Sequence, residues 1–214
     1  NWVDYDNDGH LDLFVSNGLE GGEENFLYHN EQNGTFTKII SGPLVTGHSP
    51  SDGASWGDYD NDGDLDVVVV AWYDSMNAFF NNSGGGAFSQ IIASPIVSDR
   101  GYSETCSWGD YDNDGDLDIL LTGNNTGNDH VARVYRNDSG TFVDISAGLP
   151  GVIGSSAVWG DYDSDGKTDR AVWRPYYRSA GTCISPIVSR SVRYCTVTSP
   201  LEWLECAAQL DLVL

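Results

Sequence analysis

The sequence predicts an all-β fold: about four β-propeller blades, part of an incomplete propeller, carrying cation-binding hairpin loops. Three observations lead there. An Asp-rich loop entered by a Trp recurs four times, its first Asp at positions 4, 58, 110 and 161, so the intervals are 54, 52 and 51 residues. Each loop is followed by an apolar, β-rich run, and in the first three units by two more strand-like segments between Gly- and Asn-rich turns. A helical period near 3.6 is absent.

The copies read Trp2-Val-Asp-Tyr-Asp-Asn-Asp-Gly-His-Leu-Asp12, Trp56-Gly-Asp-Tyr-Asp-Asn-Asp-Gly-Asp-Leu-Asp66, Trp108-Gly-Asp-Tyr-Asp-Asn-Asp-Gly-Asp-Leu-Asp118 and Trp159-Gly-Asp-Tyr-Asp-Ser-Asp-Gly-Lys-Thr-Asp169. Strands are predicted to leave the loops at Leu11-Phe14-Val15, Leu65 to Val70, Leu117 to Leu121 and Ala171 to Trp173. Further strands are predicted at Asn25 to His29 with Thr35 to Ile40, Ala78 to Phe80 with Ala87 to Ile92, and Val131 to Tyr135 with Thr141 to Ile145. Asn33-Gly34 and Gly84-Gly85-Gly86 supply hairpin turns. Four short strands every fifty or so residues describe a propeller blade, whereas a solenoid of strands repeats at shorter intervals. The blades fall at approximately 1–42, 43–95, 96–147 and 148–174. The first unit begins at its Trp and so is expected to lack an opening strand, leaving an exposed sheet edge.

Composition narrows the function classes. The formal net charge of −22 argues against nucleic acid and anionic membrane surfaces as partners. Eighteen of the 32 acidic residues lie in the four loops, as four compact clusters rather than one acidic tail. No apolar run approaches the roughly 18 residues that span a bilayer; the longest, Val67 to Tyr73, suits a strand. The chain starts at Asn1 without Met or export signal, so the expectation is a soluble piece of a longer exported chain. Cys106, Cys183, Cys195 and Cys206 show no zinc-site spacing.

In each loop carboxylates occupy positions 1, 3, 5 and 9, with Gly at position 6. Alternation lets side chains 1, 3 and 5 converge, and Gly permits the sharp reversal. Position 7 is expected to contribute its backbone carbonyl, leaving its side chain free to vary as His10, Asp64, Asp116 and Lys167. The ligand set is therefore Asp4, Asp6, Asp8, His10 and Asp12; Asp58, Asp60, Asp62, Asp64 and Asp66; Asp110, Asp112, Asp114, Asp116 and Asp118; and Asp161, Asp163, Asp165, Lys167 and Asp169. One carboxylate pair at ~4 Å costs about 4 kcal/mol at an effective dielectric of ~20, a strain that a divalent ion removes. Hard oxygen donors in this number suit Ca²⁺ better than Mg²⁺ or Zn²⁺. The expectation is three to four Ca²⁺ ions. An EF-hand is excluded, because position 12 is Val15, Val69, Leu121 and Val172 instead of Glu. One such loop alone would be compatible with a bare Asp-rich turn; four copies sharing Trp, Tyr, Gly and the closing Asp favour the ion. The Trp and the Leu at position 8 are expected to pack between blades.

These loops resemble the FG-GAP/VCBS repeats of integrin α-chain propellers and of many secreted bacterial proteins. Phe26-Leu-Tyr-His-Asn with Gly34-Thr-Phe-Thr, and Val134-Tyr-Arg-Asn with Gly140-Thr-Phe, resemble the pattern of bacterial members. The resemblance runs from residue 1 to about 174. It implies a seven-bladed parent propeller, Ca²⁺ in the hairpin loops, remaining blades elsewhere in the parent chain, and an extracellular setting. It does not imply a ligand. From Arg170 onward five of the ten basic residues and three of the four cysteines appear, while Gly falls to Gly181 alone. The hypothesis is that residues 175–214 are an aberrant or frame-shifted end of a fragment. The alternative is a divergent cap on the last blade.

No catalytic motif stands out. His10 reads as a variable loop position and His29 as an exposed turn after a strand; His48 and His130 are isolated. A carboxylate pair for glycoside hydrolysis would occur once, whereas these occur per blade. The sequons at Asn33, Asn81, Asn124 and Asn137 are expected to mark surface turns. Two functions remain: a non-enzymatic binding or adhesion module for a protein or glycan ligand, or an accessory part of a secreted carbohydrate-active enzyme. Aromatic residues such as Trp72, Tyr73 and Tyr102 on one face would favour glycan stacking.

Overall fold

The computed structural model describes residues 1–18, 24–47, 50–71, 75–152, 156–161, 168–173, 183–184 and 194–195. Apart from one helical turn, these residues form antiparallel β-structure. The first sheet runs in chain order through β1 (Trp2–Val3), β2 (Asp12–Val15), β3 (Phe26–Asn30) and β4 (Phe36–Ile39). The second holds β5 (Ser51–Gly57) and β6 (Asp66–Ala71); after β7 (Ser75–Met76), which crosses to the next sheet, it continues with β8 (Ala78–Asn82) and β9 (Phe88–Ile91). Helical turn α1 (Pro95–Ser98) leads into the third sheet of β10 (Arg100–Gly109), β11 (Asp118–Asn125), β12 (His130–Asp138) and β13 (Thr141–Asp144), with β7 on its β10 edge. Two two-stranded pairs follow, β14 (Ser156–Gly160) with β15 (Asp169–Trp173), and β16 (Cys183–Ile184) with β17 (Tyr194–Cys195).

The Asp loop joins the first and second strands of every unit in one register: Val3 faces Asp12, Gly57 faces Asp66, Gly109 faces Asp118 and Gly160 faces Asp169. The first unit does keep an opening strand, reduced to the two residues of β1.

Hydrophobic cores lie between successive sheets. β6 reads Val-Val-Val-Val-Ala after Asp66 and is buried throughout. Side chains alternate across a strand, so Val67 and Val69 join Phe14 and Leu27 of the first sheet, while Val68 and Val70 join Ile119, Leu121 and Tyr135 of the third. Such a strand, covered on both faces, carries no polar alternation. A third cluster sets Leu120 and Val134 against Val152 and Ala157.

The Trp-Gly pair has a packing reason. The ring of Trp108 lies so close to Gly57 that a Cβ there would stand 2.8 Å from it, and Trp159 crowds Gly109 to 2.5 Å. Each indole also donates to the sheet before it, Trp108 Nε1–H to the Ser55 carbonyl at 3.1 Å and Trp159 Nε1–H to the Ser107 carbonyl at 2.9 Å. The first sheet carries Val3 where the others carry Gly, and Trp56 Nε1 is buried without a hydrogen-bond partner. Trp56 and Leu65 pack against the first core, as expected of residues between blades. Their counterparts Trp2 and Leu11 are 62% and 57% exposed.

α1 was not legible as a repeat feature. Ser94 caps it by accepting from the Ile96 N–H, Pro95 opens it, and Ile96 and Val97 are buried in the second core. Asp99 just beyond is buried and accepts from Tyr135 Oη at 2.7 Å and from Arg133.

Candidate metal centre

The first three loops fold by the same local rules. Asn7, Asn61 and Asn113, at position 4, take φ of 58°, 60° and 61°, and Gly9, Gly63 and Gly115 follow at 87°, 92° and 94°. Asn tolerates the left-handed region better than most residues and Gly adopts it freely, so the Asn-Asp-Gly sequence turns the chain twice within three residues. The first Asp brackets this turn. Asp4 accepts from the Asp8 and Gly9 N–H groups at 3.1 and 3.0 Å, and Asp58 and Asp110 accept identically from Asp62 with Gly63 and from Asp114 with Gly115. The fifth-position Asp in turn accepts from the residue at position 7.

Asp12, Asp66 and Asp118, at the ninth position, are fully buried and hold their loops to the sheet. Asp66 accepts from the N–H groups of Tyr59 at 3.0 Å and Asn82 at 2.8 Å; Asp118 accepts from Tyr111 at 2.9 Å and Asn137 at 2.8 Å. Asp12 does the same with Tyr5 and Asn30. Asp66 Oδ1 also accepts from Asn81 Nδ2 at 3.3 Å, so Oδ2 is the Asp66 oxygen with a lone pair to spare.

Carboxylates converge in all three fully described loops. Ligand atoms of Asp4, Asp6 and Asp8 lie within 4.8 Å of one another, as do those of Asp58, Asp60 and Asp62, and those of Asp110, Asp112 and Asp118. The donor set is oxygen-only in these groups, and Asp6 Oδ1 is buried with no hydrogen-bond partner. Both features fit a hard divalent ion. Burial and mutual repulsion shift several of these carboxylates. Burial pushes Asp66 up to about 7 and Asp118 up to about 6, with the neighbouring loop carboxylates adding to the rise. Burial also raises Asp12, Asp60 and Asp112. Asp8 is lowered instead, chiefly by the Gln32 amide at 3.0 Å.

Several expectations need correction. The position-7 side chain is not idle: Asp64 accepts from Asn7 Nδ2, and Asp116 from Asn61 Nδ2, each at 2.8 Å, so successive loops are tied together. Asp116 also accepts from the Ser139 N–H at 2.8 Å. His10 is exposed. His29 lies within β3, half-buried against Asp6 and Asp12, and is not an exposed turn. Asn137 is buried, so its sequon is no surface turn; Asn81 lies in β8. In the fourth loop Asp161 is exposed and Asp169 opens β15, whereas Asp163, Asp165 and Lys167 lie outside the described residues. Trp72, Tyr73 and His48 also lie outside them, as do the residues beyond 173 except the β16–β17 pair; Tyr102 is half-buried in β10.

The residues missed from the sequence are the third-strand asparagines. Asn82 Nδ2 donates to the Leu65 carbonyl at 3.2 Å and to the Tyr5 carbonyl of the preceding loop at 2.8 Å. Asn137 repeats this with Leu117 at 3.2 Å and Tyr59 at 2.7 Å. Asn30 reaches Leu11 at 3.0 Å. A signal was present: an Asn stands at the last or last-but-one position of the third strand of each of the three sheets.

Comparison with known proteins bears on the repeat architecture. The family model described as FG-GAP-like repeat matches residues 4–69, 68–121 and 110–172. Cartilage acidic protein 1 from Mus musculus is 29% identical over 168 residues, covering 74% of this chain and 26% of its own length. The Homo sapiens protein is likewise 29% identical over 168 residues, with 25% of its length covered. The chain thus spans about a quarter of the curated relatives it matches. Among solved structures, an Agrocybe aegerita lectin described as recognising non-reducing terminal N-acetylglucosamine superposes with a TM-score of 0.50 at 19% identity, covering 80% of this chain and 45% of that one. That likeness concerns the fold.

Proposed function

The chain belongs to the FG-GAP-like repeat family, and from that premise we propose that it is a calcium-binding, non-catalytic binding module of a secreted or cell-surface protein. Its loops clip three to four Ca²⁺ ions onto the hairpins of about four propeller blades. The observation that carries this reading is the convergence of carboxylate oxygens within 4.8 Å in three successive loops of one geometry. Asp4, Asp6, Asp8 and Asp12, with their counterparts in the other loops, would hold the ions. Bound calcium neutralises the clusters and stiffens the hairpins; it takes no part in a reaction. The same ligand set on every blade supports a structural ion, because a catalytic centre is built once.

Thermal melting with excess Ca²⁺ and with a chelator tests the reading. Linkage gives about 4 kcal/mol per site when free ion exceeds Kd a thousandfold and binds only the folded chain. Equal melting temperatures in Ca²⁺ and chelator would refute it.

The ligand class that the comparisons favour is glycan, because the Agrocybe aegerita lectin of like fold is described as recognising a terminal sugar. A second reading, an accessory part of a carbohydrate-active enzyme, rests on the same likeness. Both expect retention on a glycan array; only the second expects a hydrolase domain in the parent chain. Failure to retain any glycan in Ca²⁺ would favour a protein ligand.

A further inference from the structure

The first sheet presents an apolar face of a kind that the next two sheets bury. Trp2, Leu11 and Phe36 are 62%, 57% and 43% exposed. Their counterparts Trp56, Leu65 and Phe88 pack against the core between the first and second sheets. Trp108 and Phe142 join the following core in the same way. The exposed pair is already set for such a contact. Its Trp and Phe ring centroids stand 6.0 Å apart, against 6.0 and 6.1 Å in the second and third sheets. The complementary seat lies on β14. Gly57 and Gly109 each sit under an indole of the following sheet, whereas a Cβ on Gly160 would meet nothing within 4 Å among the described residues. Val158, two residues before Gly160, is 49% exposed and stands where Ser55 and Ser107 accept from those indoles.

We propose that the Trp2–Leu11–Phe36 face of one copy of this chain docks on the Gly160 side of β14 in a second copy, head to tail. Trp2 then lies over Gly160 of the other copy, and its Nε1–H donates to the Val158 carbonyl there, as Trp108 and Trp159 donate inside the chain. The occupant follows from the fit. A contact of this kind is made twice within the chain, each time between sheets of one design, so the surface that suits Trp2 is another such sheet. The glycine matters to the seat: Trp56 meets Val3 in its place, and Trp56 Nε1 is left without a hydrogen-bond partner. Docking takes the half-exposed indole and phenyl rings out of water, which drives the association. Two copies can fill both seats at once, each giving its Trp2 to the other, because head-to-tail contacts close into a ring when the rotation allows. The fold favours two. This chain covers 45% of the lectin of like fold, so two copies hold about as much of the fold as that one chain. The contact depends on neither the ligand nor the ion proposed above.

Sedimentation velocity of the whole chain over a roughly hundredfold range of concentration is the test. Salt of about 0.15 M screens the repulsion between chains of net charge −22 beyond about 8 Å. The expected result is a species of two chains that dissociates on dilution. Trp2→Ala and Gly160→Ala should each weaken association roughly tenfold or more, since each removes one half of the seat. Leu11→Lys, which puts a charge on the same face, should do so too. Trp2 and Leu11 are exposed and Gly160 has room for a Cβ, so the separate chains should keep their sheets, which circular dichroism checks. Mixing W2A with G160A should restore a two-chain species, because Trp2 of the second variant still fits Gly160 of the first. A parent chain that stays single at every concentration would overturn the proposal and leave the Trp2 face to a further repeat of a longer chain or to an unrelated protein. A pair that W2A dissolves and G160A leaves intact would also overturn it, since the Trp2 face would then meet something other than Gly160.

Discussion

Asn82 and Asn137 show how much a single side chain does in this fold. Each spends its backbone N–H on the buried ninth-position Asp of its own sheet and its amide on two carbonyls, one of them in the preceding loop. Asn82→Ala strands the Tyr5 and Leu65 carbonyls, and a buried group left without its partner costs about 1–3 kcal/mol. A lower midpoint in urea denaturation is the expected result, and an unchanged midpoint would show that water replaces the amide. The aspartates that these residues hold make a second prediction. Asp66 and Asp118 rise to about 7 and about 6 in the fold, above the ordinary carboxylate value near 4. The native state therefore keeps protons that the unfolded chain has released, so stability in chelator should fall as pH climbs from about 4 to about 7. A cation must displace those protons, so the Ca²⁺-induced rise in melting temperature should be larger at pH 8 than at pH 5. Melting curves across that range, with and without chelator, check both slopes.

At the scale of elements, the hairpin is the unit and the Trp-Gly pair is its coupling to the next. Gly57→Ala would set a Cβ 2.8 Å from the Trp108 ring. The ring also donates to Ser55, so it cannot withdraw without losing that bond. Overpacking of this kind costs about 1–3 kcal/mol, and Gly160→Ala, whose Cβ meets nothing within 4 Å among the described residues, is the matched control. Equal melting temperatures for the two variants would sink the coupling idea. The hairpins themselves were legible in the sequence because their rules are local: Asp brackets, Asn and Gly reverse, and a β-branched run follows. The strand after each loop was found to within a residue or two at its start. What stayed hidden acts between units. The bond from Asn7 to Asp64, the Asn82 latch on Tyr5 and the room that Gly57 gives Trp108 join residues about fifty or more apart. His29 was misread for the same reason, since only the fold brings it to Asp6 and Asp12. β7 and α1 were missed because they break the repeat.

Among the described residues, the three large sheets and β14 follow one another so that each touches the next through its own core cluster. Stability in such an arrangement approximates a sum of unit terms and nearest-neighbour interface terms. Phe79 tests this, because it sits only in the interface between the second and third sheets. It is 1% exposed and meets Tyr59, Trp108 and Phe142 with ring centroids 4.9, 6.0 and 5.6 Å away. Phe79→Ala removes that junction at a cost of about 3–5 kcal/mol, while Val3, Phe14 and Val67 in the first interface keep their contacts. The weakened junction should open before the intact one. Hydrogen exchange should then show β10 and β11 losing protection at lower denaturant than β2 and β3, where the parent chain loses both together. Loss of protection in all four strands at once would mean that the interfaces are not independent and that the stack unfolds as a single cooperative body.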